Sequence, residues 1–139
     1  MHNIRAGVAL ASLAFFGDRH MKLGTLITNV KKEKPNSFSV DHLTKFVNEL
    51  EAQVLNWLEE DVFEYTYAKH ANRKLVIEPP YDCVYESWLK AKIDYAHEEY
   101  QSYENNSVQF NEDFQSWKNY MESHGKVEPI QPHAIKNWW

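Results

Sequence analysis

Residues 82–104 read DCVYESWLKAKIDYAHEEYQSYE, and this stretch decides the fold. Its apolar residues recur at helical spacing, which predicts a helix of about 35 Å at ~1.5 Å per residue. The apolar positions form two stripes, one with Tyr85, Leu89, Ile93, Ala96, Tyr100 and Tyr103, the other with Val84, Trp88, Ala91 and Tyr95. Because they span about half of the circumference, the helix is expected to contact another subunit besides its own core. The predicted subunit-interface residues are Val84, Trp88 and Tyr95.

Two further helices are predicted upstream. Apolar residues spaced three and four apart indicate a short first helix over Met21–Lys31, and Lys34-Pro35-Asn36-Ser37 ends it. Ser39 is placed to cap a long second helix, with Asp41 in its first turn, where a negative charge favours the helix dipole. The apolar residues of this second helix fall mainly on one face: Leu43, Phe46, Val47, Leu50, Val54, Trp57 and Leu58.

The helical period is lost from Val62 to Glu78. Apolar and polar residues alternate on either side of the polar stretch Ala68–Lys74, a pattern that predicts a short β-hairpin or an extended loop. The alternating residues are Phe63, Tyr65 and Tyr67 before that stretch and Leu75 and Ile77 after it. Pro79-Pro80 stops the pattern, and Asp82 can cap the next helix.

Downstream, Asn105-Asn106-Ser107 is expected to interrupt or kink the helical pattern. A fourth helix is predicted over Val108–Ser123, with Gly125 as its C-terminal cap. The prediction is therefore an all-α fold: a small bundle of about four helices with one short β-hairpin or extended loop and an extended C-terminal tail. Its parts are residues 1–20 as an N-terminal extension or extra helix, residues 21–125 as the helical domain, and residues 126–139 as the tail.

The N-terminal extension leaves two interpretations open. Its apolar run Ala6–Phe16 resembles a secretory signal only weakly, since the cleavage-like Ala9-Leu10-Ala11 lies in the middle of the run. The run is also shorter than the ~20 residues that a membrane-spanning helix needs. Because Met21 opens a new amphipathic segment, residues 1–20 are either an extra helix or an extension upstream of the usual translation start.

Composition narrows the classes of function. The formal net charge is -5, which argues against a general nucleic-acid binder. The charge is uneven: six basic and two acidic residues give +4 over residues 1–34, whereas three lysines and nine acids give -6 over residues 81–125. Aromatic residues make up 14% of the chain, and they suit both cores and interfaces. The single cysteine, Cys83, excludes an internal disulfide, suits a reducing cytoplasm and is expected to be buried.

No motif predicts an enzyme, and no catalytic, cofactor-binding or metal-binding residues are assigned. Phosphate-binding glycine loops and nucleophile elbows are missing from the sequence. Asp94-x-x-His97, followed by Glu98, has the spacing of a di-metal helical bundle, but such a bundle needs that pair twice. A solvated helix face is therefore the preferred interpretation, and a metal-dependent enzyme centred on Asp94 and His97 is the rival one.

Three consecutive acids, Glu59, Glu60 and Asp61, follow the second helix, where cations would be preferred. They are interpreted either as a solvated helix end or as a negative surface that faces a partner or a channel. In the second interpretation they are the predicted channel-contact or partner-contact residues.

Several short segments, in order, carry a resemblance to a known family. They are Leu26-Ile27-x-x-Val30, Lys34-Pro35-Asn36-Ser37-Phe38-Ser39, Lys45-Phe46-Val47-Asn48-Glu49-Leu50-Glu51-Ala52-Gln53-Val54, Pro79-Pro80-Tyr81-Asp82-x-x-Tyr85, Ile93-Asp94-Tyr95-Ala96-x-x-Glu99-Tyr100, and Tyr103-x-Asn105-Asn106-Ser107 with Phe110-Asn111. In their order and spacing these segments resemble the head-to-tail connector (adaptor) proteins of siphophages. The resemblance covers about residues 22–120 and leaves out the first twenty residues and the C-terminal tail.

The resemblance implies a structural virion protein, made in the host cytoplasm and located in the neck between capsid and tail. Its subunits would form a ring, usually of twelve copies, that contacts the portal protein above and a stopper or tail-completion protein below. DNA would pass through the ring without specific binding, and no membrane is involved. The predicted portal contacts are apolar residues of the tail that need a groove to fill: Ile130, Ile135, Trp138 and Trp139. The alternatives are another neck or tail-completion protein and a helical regulator that binds a host protein.

Overall fold

The computed structural model describes residues 20–127. Within this range five helices follow one another: α1 (Leu23–Glu33), α2 (Val40–Trp57), the single turn α3 (Tyr67–His70), α4 (Cys83–Ala96) and α5 (Tyr100–Ser123). Helix α4 packs most extensively against α5 and also contacts α1 and α2. The predicted all-α class is confirmed, and no helix in this range is long and apolar enough to cross a membrane.

The wide apolar face of α4 is filled largely by its own chain. Val84, Tyr85, Leu89 and Ile93 are all buried, in one core with apolar residues of α1, α2 and α5. Both stripes therefore face intramolecular neighbours along most of the helix. Only the C-terminal end of that face, where Tyr95 is 59% exposed, is left open for another contact. The predicted contact with another subunit stays a prediction there.

No β-hairpin forms between α2 and α4; residues 58–82 are an extended loop with one helical turn. Within residues 20–127 the only β-type pairing is an isolated bridge between Lys22 and Lys74. The alternation still marks inward side chains, because Tyr65, Leu75 and Ile77 are buried. The backbone of the loop pairs with side chains of the helices instead of a second strand, so the hairpin prediction was wrong and the extended-loop alternative was right.

Close approach between the loop and α1 requires a glycine at position 24. The Gly24 N–H donates to the carbonyl oxygen of Ala71 at 2.7 Å, and a Cβ atom at position 24 would lie 2.9 Å from that same oxygen. Leu75 N–H in turn donates to Met21 O at 2.8 Å. These bonds fix the loop across the start of α1.

The same motif ends α2, α4 and α5. In each, a residue in the left-handed region follows the helix. The N–H of the residue after it donates to the carbonyl oxygen five residues earlier, as in a Schellman cap. Gly125 holds this position after α5, as predicted, but Glu59 and Glu98 hold it after α2 and α4, with φ near 60°. The predicted third helix therefore ends at Ala96, not near Glu104, and Asn105–Ser107 lies inside α5.

The predicted N-terminal cap of the long second helix is confirmed. The Ser39 side chain accepts a hydrogen bond from His42 N–H at 3.0 Å, and α2 begins at the next residue. Asp82 precedes α4 as predicted, but its side chain makes no capping hydrogen bond.

Candidate interaction site

An open groove runs between the C-terminal half of α4 and the N-terminal half of α5. Its volume is about 550 Å³, within the ~300–1,000 Å³ of small-molecule clefts. We call it the aromatic groove; its principal lining residues are Trp88, Lys92, Tyr95, Tyr103, Phe110 and Asn111.

Two tyrosines that line the aromatic groove, Tyr95 and Tyr103, form an exposed cluster with the neighbouring Tyr100. Tyr95 lies 5.2 Å from Tyr103 and 6.2 Å from Tyr100, measured between ring centroids. Tyr95 and Tyr100 are more than half exposed, and Tyr103 is 36% exposed. Three adjacent tyrosines of this exposure form an amphipathic surface that suits a protein partner, since tyrosine buries a large ring and keeps a hydroxyl for hydrogen bonding.

The inner end of the groove is held rigidly. Trp88 donates from Nε1 to the carbonyl oxygen of Phe46 at 2.7 Å, and its ring lies 5.1 Å from that of Phe110. The Lys92 ammonium lies 4.7 Å from the centre of the Trp88 ring and 3.1 Å from Glu49. Trp88 therefore joins α2, α4 and α5, and a partner would meet a preformed wall.

The three predicted interface residues lie in different environments in the structure. Val84 is fully buried in the core, so it cannot reach another subunit, and its assignment is corrected. Trp88 is half-buried and Tyr95 is exposed, and both line the aromatic groove. Tyr103 and Phe110 were missed as neighbours of Trp88 and Tyr95 in the groove. The predicted helix break at Asn105–Ser107 concealed that α5 carries both of them beside α4.

Asp94 is fully buried, which corrects its assignment to a solvated face. One of its carboxylate oxygens pairs with the Lys34 ammonium, and the other accepts hydrogen bonds from Ser102 Oγ and Asn106 Nδ2, each at 2.7 Å. Burial alone would raise the pKa of Asp94, but the bonds to Lys34, Ser102 and Asn106 lower it overall.

The rival metal interpretation finds little room at Asp94, because both carboxylate oxygens are already occupied. The His97 ring stacks on Phe38 at 6.3 Å, and its Nδ1 atom lies 4.0 Å from Glu99. Across residues 20–127 no three His, Cys, Asp or Glu side chains converge as a metal site would require.

A second buried carboxylate, Glu51, was missed at the level of the sequence. It is fully buried on α2 and accepts hydrogen bonds from the Tyr85 hydroxyl at 2.6 Å, the Tyr65 hydroxyl at 2.7 Å and Val76 N–H at 3.0 Å. Burial raises the pKa of Glu51, against these three hydrogen bonds. The position of Glu51 directly after Leu50, on the apolar face of α2, was a signal in the sequence. Its partners could not be predicted, because they come from the loop and from α4.

The acids after α2 lie on the surface. Glu59, Glu60 and Asp61 are all exposed, and the neighbouring Val62 is 54% exposed. Their prediction as channel or partner contacts is compatible with this position and stays a prediction. Cys83 is exposed as well, contrary to the expectation that it is buried. The predicted portal contacts Ile130, Ile135, Trp138 and Trp139 lie outside the described residues, as do residues 1–19.

No protein-family model, no curated protein and no solved structure matches this chain.

Proposed function

We propose that this chain is a head-to-tail connector subunit of a tailed phage, which assembles into a ring below the portal and docks the stopper or tail. The observation that carries the proposal is the aromatic groove with the cluster of exposed tyrosines at its edge. It is preformed, and it lies on one side of the domain, as a heterologous contact between successive subunits of a ring requires.

Charge supports the same function. The exposed acids Glu59, Glu60 and Asp61 follow α2, and the segment 81–125 carries a net charge of -6 from three lysines and nine acids. A ring with acidic residues along its lumen would let DNA slide, since it lacks the basic contacts that hold phosphates. In this proposal the aromatic groove joins subunits, and Glu59–Asp61 faces the lumen or the neighbour below.

The test uses a groove variant and a matched control on α5, the helix that carries Tyr103. Tyr95→Ser with Tyr103→Ser removes the outer edge of the groove, whereas Val108→Ser removes an apolar residue that is 51% exposed and does not line it. The chain is mixed with the portal protein of its phage, and ring assembly is measured by sedimentation and electron microscopy. We expect the double variant to lose at least tenfold in ring yield at unchanged thermal stability, and the control to assemble normally.

Normal assembly of the double variant would show that the groove is not the subunit contact. The function itself is tested by a reconstruction of the intact particle. Density for this chain elsewhere in the neck would favour the alternative of another neck or tail-completion protein. Its absence from purified virions by mass spectrometry would overturn a virion role altogether.

A further inference from the structure

A second, smaller pocket lies at the opposite end of α5, where the described chain ends. The loop prolines Pro79 and Pro80 form one wall, and Trp117, Met121 and Lys126 form another. We call it the proline pocket. Its volume is about 170 Å³, close to the ~150 Å³ apolar cavity that holds one benzene molecule. The pocket therefore matches one aromatic ring.

The backbone after α5 turns back over this pocket. Gly125 adopts φ of 69°, and the N–H groups of Lys126 and Val127 both donate to the carbonyl oxygen of Met121, at 2.9 and 3.3 Å. Lys126 itself lines the pocket, and Val127 is half-buried. The described chain thus ends at the rim of the pocket.

The segment that follows carries suitable rings. Residues 128–139 read EPIQPHAIKNWW, with one acid, one lysine and the adjacent pair Trp138-Trp139. Ten residues lie between Val127 and Trp138, and the eleven Cα–Cα steps from one to the other allow a reach of up to about 35–40 Å. A tether of this length gives an effective concentration on the order of millimolar, enough for a single buried ring to occupy its site.

We propose that segment 128–139 folds back on its own domain and that one indole of Trp138-Trp139 occupies the proline pocket. Residues 1–19 also contain aromatic rings, Phe15 and Phe16, but among the described residues none before Leu58 lines this pocket. The inference does not depend on the connector function. If both hold, the portal must displace the indole from the pocket before the tail can bind elsewhere.

The native cysteine provides the probe. Cys83 is the single cysteine of the chain, is exposed, and has its Sγ atom 3.7 Å from the carbonyl oxygen of Pro80, beside the pocket. A nitroxide spin label on Cys83 would broaden the NMR signals of nuclei that come close to it. Since partial burial and the Asp113 carboxylate raise the pKa of Cys83 to about 11, labelling is carried out at mildly alkaline pH.

The measurement follows the five tryptophan indole N–H signals of the full chain, assigned with single Trp→Phe variants. We expect the signal of Trp138 or Trp139 to lose more than half of its intensity in the labelled protein, alongside that of the pocket residue Trp117. Met121→Glu places a charge in the pocket and should restore the tail signal. Val108→Glu, which adds the same charge on α5 outside the pocket, should leave the broadening unchanged.

The proposal is overturned if both tail indole signals keep full intensity in the labelled protein. It is also overturned if the broadening persists in Met121→Glu, because a tail that is not docked in the pocket would be broadened equally in both proteins. Broadening of the backbone amide signals of Phe15 or Phe16, in place of the indoles, would assign the pocket to the N-terminal segment and overturn the proposal too. Mixing spin-labelled chains with isotope-labelled ones tests for a second copy. Equally strong broadening in this mixture, where the label and the isotope are on different chains, would mean that the tail occupies the pocket of a second copy. Docking within one chain would then be overturned.

Discussion

Two fully buried carboxylates, Glu51 on α2 and Asp94 on α4, differ in what surrounds them. Glu51 is held by neutral donors, two tyrosine hydroxyls and one backbone N–H, and its pKa is raised by burial. Asp94 has the Lys34 ammonium beside it, and its pKa is lowered. Neither side chain is exposed to solvent, yet their pKa shifts have opposite signs. At Glu51 desolvation outweighs the three hydrogen bonds, whereas at Asp94 the bonds from Lys34, Ser102 and Asn106 outweigh desolvation.

The two carboxylates also connect different parts of the domain. Glu51 ties the extended loop to α2 and α4 through Tyr65, Val76 and Tyr85. Asp94 ties the residue after α1, Lys34, to Ser102 and Asn106 in the first half of α5. Because that half of α5 lines the aromatic groove, the Asp94 cluster supports the proposed interaction surface, whereas the Glu51 cluster supports the loop beside the proline pocket.

The largest effect is expected from removal of the cation in the Asp94 cluster. Lys34→Met leaves a buried carboxylate without its ammonium, and loss of one partner of a buried pair costs about 3–5 kcal/mol. We expect a decrease of that size in the free energy of unfolding, measured by urea denaturation. Lys34→Met combined with Asp94→Asn should recover at least half of the loss, because the uncompensated charge is gone.

Lys32→Met is the matched control, since Lys32 is an exposed lysine of the same helix end and surface changes usually stay within about 0.5 kcal/mol. A loss below about 1 kcal/mol for Lys34→Met would show that water compensates Asp94 in place of the lysine, and the comparison of the two clusters would then fail.

The Asp94 cluster also explains where prediction from sequence stopped. Asn105-Asn106-Ser107 is typical of a helix break, because short polar side chains compete for backbone hydrogen bonds. In the fold the Asn106 amide is used by Asp94 twelve residues earlier, which keeps the side chain off the backbone. The true break, at Glu98, has a residue that seldom adopts positive φ, so no local pattern marked it.

Local sequence patterns were sufficient to predict helices that bury one face, and caps whose hydrogen-bond partners lie near in sequence. The spacing of apolar residues in α1 and α2, the Ser39 cap and the Gly125 cap were all predicted correctly. The hairpin prediction was wrong because side chains of α2 take the backbone hydrogen bonds that a second strand would have used. Asn48 donates to the carbonyl oxygen of Tyr65 and accepts from its N–H, and Glu51 accepts from Val76 N–H. Those partners lie 17 and 25 residues apart along the chain, beyond any local pattern.

A smaller effect is expected from the tyrosines around Glu51, and the two should differ. The Tyr85 hydroxyl donates to Glu51 and also accepts from Ile77 N–H at 2.8 Å, whereas the Tyr65 hydroxyl only donates to Glu51. Tyr85→Phe should therefore decrease the free energy of unfolding by about 3 kcal/mol and Tyr65→Phe by about 1.5 kcal/mol, since a hydrogen bond to a charged group contributes roughly 1.5–3 kcal/mol and an orphaned buried N–H adds its own cost.

Urea denaturation of both variants measures this difference. Tyr67→Phe serves as the control, because its ring is half-buried and its hydroxyl has no hydrogen-bond partner among the described residues. Equal losses for Tyr85→Phe and Tyr65→Phe would mean that Ile77 N–H finds another acceptor, and the Glu51 cluster would then be less specific than its geometry indicates.

The smallest effect, and the most direct test of the comparison, is the pH dependence of stability. The lowered pKa of Asp94 means that its contribution is fully present above the ordinary aspartate pKa of about 3.9 and is lost as the pH falls through the folded-state value. The raised pKa of Glu51 has the opposite sign: its contribution is present below the ordinary glutamate pKa of about 4.3 and is lost as the pH rises through the folded-state value.

Asp94→Asn and Glu51→Gln separate the two contributions when the free energy of unfolding is measured from pH 3 to pH 7. The stability advantage of the wild-type chain over Asp94→Asn should grow with pH, and its advantage over Glu51→Gln should shrink. Parallel slopes would mean that the three neutral donors stabilise the ionised Glu51 as well as the lysine stabilises Asp94. A buried carboxylate would then need only enough hydrogen bonds, and the cation at Lys34 would serve to fix the position of α5 rather than the charge of Asp94.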